Sequence, residues 1–158
     1  THTDDGNIAL SDYVAGYSNA IIEALIHNPY PKTLSDWNTG IMLRQIGSDF
    51  YALIIKSNGC WELIYRSSQS GNSGETLNSG CSNDISVSPK GTNIIRLIAD
   101  GAHGIFYVNG SLMGVVNMSD ILSTGATRLM GSYYLDTKVE GSTVNYSDYK
   151  IWNLGVTE

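Results

Sequence analysis

The strongest constraint on this chain is a hairpin spelled out between residues 104 and 116, where Ile105-Phe106-Tyr107-Val108 and Ser111-Leu112-Met113 flank Asn109-Gly110. Asn-Gly supplies the two positive φ angles of a two-residue turn, and the β-branched and aromatic residues on either side read as antiparallel strands. The same grammar recurs upstream. Phe50-Tyr51-Ala52-Leu53-Ile54-Ile55-Lys56 and Cys60-Trp61-Glu62-Leu63-Ile64-Tyr65-Arg66 hinge on Ser57-Asn58-Gly59, and Asp100-Gly101 turns the chain after an apolar run beginning at Asn93. Further strands are predicted at 20–27, 40–46, 85–87, 127–134 and 144–152. The run at 20–27 has a helix-compatible composition, but eight residues stopped by Asn28-Pro29-Tyr30-Pro31 are too few for a stable helix and ordinary for a strand. One helical turn is expected at 120–122. The spacing of strands and turns predicts an all-β fold of two packed antiparallel sheets.

At 158 residues and 42% apolar content, the chain is sized for one core, and a single domain spanning 1–158 is expected. Residues 67–84 are rich in Gly, Ser and Asn and resemble a linker. A boundary there would leave two halves too small to fold separately, so the segment is read as a long loop. Cys60 and Cys81, the only cysteines, have 20 residues between them. They are expected to pair, which implies an oxidising compartment; two free thiols in a reducing one are the alternative. Fifteen acidic against nine basic side chains give a formal charge of −6, and the basic residues are scattered singly. Such a surface repels polyanions, so nucleic acid is excluded as a partner. No apolar run approaches the length of a membrane span. A secreted or cell-surface location, as part of a larger protein, is the expectation.

Trp37-Asn38-Thr39-Gly40-Ile41-Met42-Leu43-Arg44, Asp49-Phe50-Tyr51-Ala52-Leu53, Asn58-Gly59-Cys60-Trp61-Glu62-Leu63, the strand from Asn93, Phe106-Tyr107-Val108-Asn109-Gly110 and Asp148-Tyr149-Lys150-Ile151-Trp152 follow one another in an order that resembles the concanavalin A-like lectin/glucanase superfamily. The likeness is to its laminin G-like and carbohydrate-binding-module branches and covers most of the chain. It implies an antiparallel jelly-roll β-sandwich with one concave and one convex sheet. It also implies a role in binding sugars, in contacting other extracellular proteins, or in hydrolysing glycosides.

Hydrolysis needs two carboxyl groups flanking the scissile bond. The Glu-x-Asp-x-Glu strand of the superfamily's hydrolases is absent, and Glu23, Glu62, Glu75, Glu140 and Glu158 are dispersed. No nucleophile elbow or triad is written here, and His2, His27 and His103 lack metal-ligand spacing. The chain therefore reads as non-enzymatic and cofactor-free, a glycosidase with an unrecognised carboxylate pair being the third alternative. Calcium is the one ion with candidate ligands, at Asp4, Asp5 and Asn7 with Asp148 as a partner, although no EF-hand-like loop is present.

Ten tyrosines and three tryptophans give the chain many rings with a polar tip, the residue type that stacks on the C–H face of a sugar while bonding its hydroxyls. Strand alternation assigns Trp61, Leu63 and Tyr65 to the core and Glu62, Ile64 and Arg66 to the other face. Extending it brings Arg44, Arg96 and Tyr107 to a polar sheet surface, with Lys56 nearby. The candidate ligand-binding residues are Trp37 and, lining a shallow groove if that surface is the concave one, Arg44, Glu62, Arg66, Arg96 and Tyr107. The expected partner is an oligo- or polysaccharide; the alternative is an extracellular protein, in a laminin G-like interaction or sensory ectodomain.

Overall fold

The computed structural model describes residues 8–11, 15–68, 74–133, 139 and 143–155. Its strands are β1 (Ile8–Leu10), β2 (Ala15–Tyr17), β3 (Ala20–His27), β4 (Trp37–Ile46), β5 (Asp49–Lys56), β6 (Cys60–Arg66), β7 (Glu75–Cys81), β8 (Thr92–Asp100), β9 (His103–Val108), β10 (Ser111–Asn117), β11 (Gly125–Tyr133) and β12 (Asn145–Asn153). They make two antiparallel sheets, and no helix occurs among the described residues. Sheet A runs β1-β11-β4-β5-β6-β7, with β2 also on β11, and sheet B runs β10-β9-β8-β3-β12. The turns form as their residues dictate: Asn109 and Gly110 take φ of 52° and 86°, Gly59 takes 80° and Gly101 takes 52°.

The two sheets close on one core because alternate side chains point inward. In β3, Ala20, Ile22, Ala24 and Ile26 are buried while the residues between them are half-buried. Sheet A answers with Trp37, Ile41, Leu43, Tyr51, Leu53, Ile55 and Leu63, and Trp61 meets Phe106 of sheet B edge to face at 5.6 Å. Each such side chain contributes about 1.5–3 kcal/mol of burial. Strand β5 departs from alternation. Its outward residues Phe50, Ala52 and Ile54 are buried too, in a second cluster with Met42 and Met130 against which Ile64 packs. Gly40 belongs to the same closely packed region, where an added Cβ would lie 1.9 Å from the Leu53 carbonyl oxygen.

Three expectations are corrected. Residues 67–84 are not one loop, since they contain β7, an edge strand paired only with β6. An edge strand exposed to water needs little apolar surface, and Glu75-Thr76-Leu77-Asn78-Ser79-Gly80 offers only Leu77, which packs against the core. Cys81 therefore lies on a strand directly opposite Cys60, and the two form the expected disulfide. Residues 85–87 are not a strand. The Asn93 side chain takes the place of a ladder partner: its Oδ1 accepts from the Ser86 amide and its Nδ2 donates to the Ser86 carbonyl. At 120–122 there is no helical turn, because the Asp120 and Ile121 amides both donate to the Tyr51 hydroxyl.

Candidate functional site

The six candidate residues do not share a groove. Trp37 and Arg44 are fully buried. Trp37 has the same parity as Ile41 and Leu43, so it faces the core, where its indole N–H donates to the Tyr30 carbonyl at 3.1 Å. Arg44 is turned inward by a β-bulge: the register of β4 shifts against both β5 and β11 here, and Arg44 takes a left-handed φ of 52°. The extra residue reverses the alternation that would otherwise send its side chain outward. Inside, Arg44 Nε donates to Ser18 O (2.8 Å), Nη1 to Met118 O (3.2 Å) and Ile121 O (2.8 Å), and Nη2 to Gly101 O (2.7 Å). Burial lowers the guanidinium pKa from its ordinary value, an effect opposed by Tyr51 and Asp100. This arginine ties loops together and is not available to a ligand.

Glu62 and Arg66 lie on the outer face of sheet A. Glu62 pairs with Lys56 at 2.6 Å, both side chains only about a fifth exposed. Arg66 sits directly opposite Phe50 in register, with its guanidinium 5.7 Å from the ring centroid. Beneath them lies the apolar floor of Phe50, Met42, Ile54 and Ile64. A cavity of about 230 Å³ opens at the β4–β5 end of this face, lined by Leu10, Met42, Gln45, Ser48, Phe50 and Arg66.

Arg96 and Tyr107 lie on the opposite surface of the molecule, the outer face of sheet B. They are cross-strand neighbours, and Glu23 of β3 faces Arg96 from the other side. Arg96 donates from both Nε and Nη2 to Glu23 Oε2, and Lys150 of β12 stands 3.9 Å from Oε1. Glu23, Arg96 and Tyr107, with Ile94, Ile98, Asn109 and Gly110, line a cavity of about 550 Å³. Glu23 and Lys150 carry no motif; the one hint in the sequence is a lone charge alternating out of an apolar strand, Ala20-Ile21-Ile22-Glu23-Ala24.

Of the candidate calcium ligands, Asp4, Asp5 and Asn7 lie outside the described residues. Asp148 sits at a bulge in β12 with φ of 51°. Among the described residues no three His, Cys, Asp or Glu side chains are grouped to hold a metal. Nor is any described helix long and apolar enough to cross a membrane. Asn109, which heads an Asn-Gly-Ser glycosylation triplet, is occupied instead by structure. Its Nδ2 donates to Asp84 O and Asn93 Oδ1, and its Oδ1 accepts from the Ile94 amide.

No family model matches the sequence, and no curated protein matches it. Solved structures do match the fold. A carbohydrate binding module, CBM66 from Bacillus subtilis, superposes with a TM-score of 0.66 at 11% identity, covering 94% of this chain and 83% of that one. Sheep galectin-11, in complex with glycerol, superposes at 0.62 with 8% identity, covering 96% and 100%. A congerin II double mutant gives 0.60 at 6% identity, covering 94% and 100%. The chain thus has the jelly-roll β-sandwich fold that its sequence leads one to expect.

Proposed function

We propose that this chain is a non-catalytic carbohydrate-recognition module, exported through an oxidising compartment and using the outer face of sheet A. The observation that carries this reading is the set of charged groups held against an apolar floor: the Lys56–Glu62 pair and Arg66 over Phe50, beside a cavity of about 230 Å³. A sugar ring has an apolar C–H face and a rim of hydroxyls. Leu10 and the edges of Phe50 and Met42 that line the cavity meet the first, while fixed cations donate hydrogen bonds to the hydroxyls and carboxylates accept hydrogen bonds from them. The fold's likeness to a carbohydrate binding module and to galectins supports the class of ligand. The Cys60–Cys81 disulfide supports export. Binding draws on side chains alone, with no cofactor, and the domain spans 1–158.

A glycan array probed with the wild-type chain and with Arg66→Ala and Glu62→Gln tests the reading. Binding that both variants weaken supports it. Absence of binding across plant, microbial and animal glycans overturns it in favour of protein recognition, and release of reducing sugar abolished by Glu62→Gln overturns it in favour of a glycosidase.

A further inference from the structure

The cavity on sheet B has a chemistry of its own. A guanidinium offers five N–H donors on two edges, each able to grip one carboxylate. In Arg96 the Nε/Nη2 edge is taken by Glu23, which fixes the plane of the group, while no described residue bonds Nη1. The outward Nη1/Nη2 edge is therefore open, and the Arg96 side chain is about half exposed. The local charge is also inverted relative to the whole chain: Glu23 stands between two cations, Arg96 and Lys150, on a protein of formal charge −6. Beside this edge, Tyr107 is half-buried and its hydroxyl has no partner among the described residues, while Ile94 and Ile98 supply apolar floor.

We infer that this cavity binds a sugar ring bearing one carboxylate, a terminal uronic-acid residue, with the carboxylate on the open edge of Arg96 and the ring on Tyr107, Ile94 and Ile98. The site is separate from the one on sheet A and shares with it only the class of ligand. A single acid is specified because the overall charge of −6 repels a polyanion, while one excess cation matches one carboxylate. A ring is favoured over a peptide because the cavity lies on β3, β8 and β9, the interior strands of sheet B. Their main-chain groups are already paired on both sides, so an extended peptide finds no edge to join.

The test is titration calorimetry of the full chain with a neutral oligosaccharide ending in one glucuronate, and with the same oligosaccharide ending in glucose. The acid form is expected to bind at least about tenfold more tightly, with the preference shrinking as salt rises. Arg96→Gln should abolish the preference, Arg96→Lys should recover part of it, and Tyr107→Ala should weaken binding of the acid form. Leu34→Ser, at an exposed turn outside both sites, should change none of this. Melting curves of each variant establish that it is folded. Equal affinity for the two sugars overturns the inference, as does an unchanged preference in Arg96→Gln. Displacement of the sugar by a short glutamate peptide at equal concentration overturns it in favour of an acidic protein partner. If instead Arg66→Ala abolishes binding and Arg96→Gln does not, the sheet A site stands and this one falls.

Discussion

Replacing Arg44 with Met separates a structural arginine from a ligand-binding one. Four carbonyl oxygens, from Ser18, Gly101, Met118 and Ile121, take hydrogen bonds from this one guanidinium. A bond from a charged donor contributes about 1.5–3 kcal/mol, so the four together represent roughly 6–12 kcal/mol of gross interaction. Two effects reduce the net loss. Burying the guanidinium itself costs several kcal/mol, which the methionine avoids, and the carbonyls nearest the surface will take water instead. The expected destabilisation of Arg44→Met is about 3–5 kcal/mol, the usual range when one side of a buried charged arrangement is removed. That corresponds to a fall in melting temperature of roughly 6–20 °C for a domain of this size. Arg44→Lys keeps the charge but has a single nitrogen with three donors, and it should lose about half as much. Urea unfolding followed by tryptophan fluorescence measures both. A loss below about 1 kcal/mol for Arg44→Met would refute the reasoning, as would a variant that melts normally but no longer binds sugar.

Three further outcomes are expected. Burial pushes the Tyr51 hydroxyl up to about 12 from its ordinary 10, so the unfolded chain ionises first as pH rises. The stability it contributes is whole below pH 10 and is lost between pH 10 and about 12; urea midpoints across that range should fall more steeply in the wild type than in Tyr51→Phe. Reducing Cys60–Cys81 frees a loop whose closure is worth roughly 3 kcal/mol, so a matched pair of urea titrations with and without reductant should differ by about that amount. Asn93 is fully buried and uses its amide on Asn28, Ser86 and Asn109; Asn93→Ala should cost about 2–4 kcal/mol and speed amide exchange at Ser86, and a neutral substitution there would contradict the assigned network.

The strands were legible wherever an alternating or apolar run lies between strong turn residues. Residues 20–27, 50–56, 60–66 and 93–99 alternate or run apolar between strong turn residues, and each became a strand close to its predicted bounds. Legibility failed at the margins. β7 is an edge strand with a single apolar residue, Leu77, toward the core, so its residues read as loop, and β1 and β2 are three residues each, too short to carry a period. The segment at 85–87 looked like a strand because it is apolar and brief, yet its hydrogen bonds go to the Asn93 side chain, a contact that only the folded chain brings together.

The candidate site was less legible for a reason that can be stated residue by residue. Alternation assigns a side chain to one face of its own strand; it does not say which of the two sheets that strand joins. Glu62 and Arg66 were assigned correctly to an outer face, and so were Arg96 and Tyr107, but β6 belongs to sheet A while β8 and β9 belong to sheet B. Thus one expected groove became two surfaces on opposite sides of the molecule. Arg44 failed differently. A single inserted residue inverts every parity beyond it, and nothing in Leu43-Arg44-Gln45 announces a left-handed φ at a non-glycine position. A charged residue within a strand is therefore weak support for a binding face until the register on both sides of it is known. By that standard Arg96 is the better founded of the two arginines, because its register runs unbroken from Glu23 through Arg96 to Tyr107.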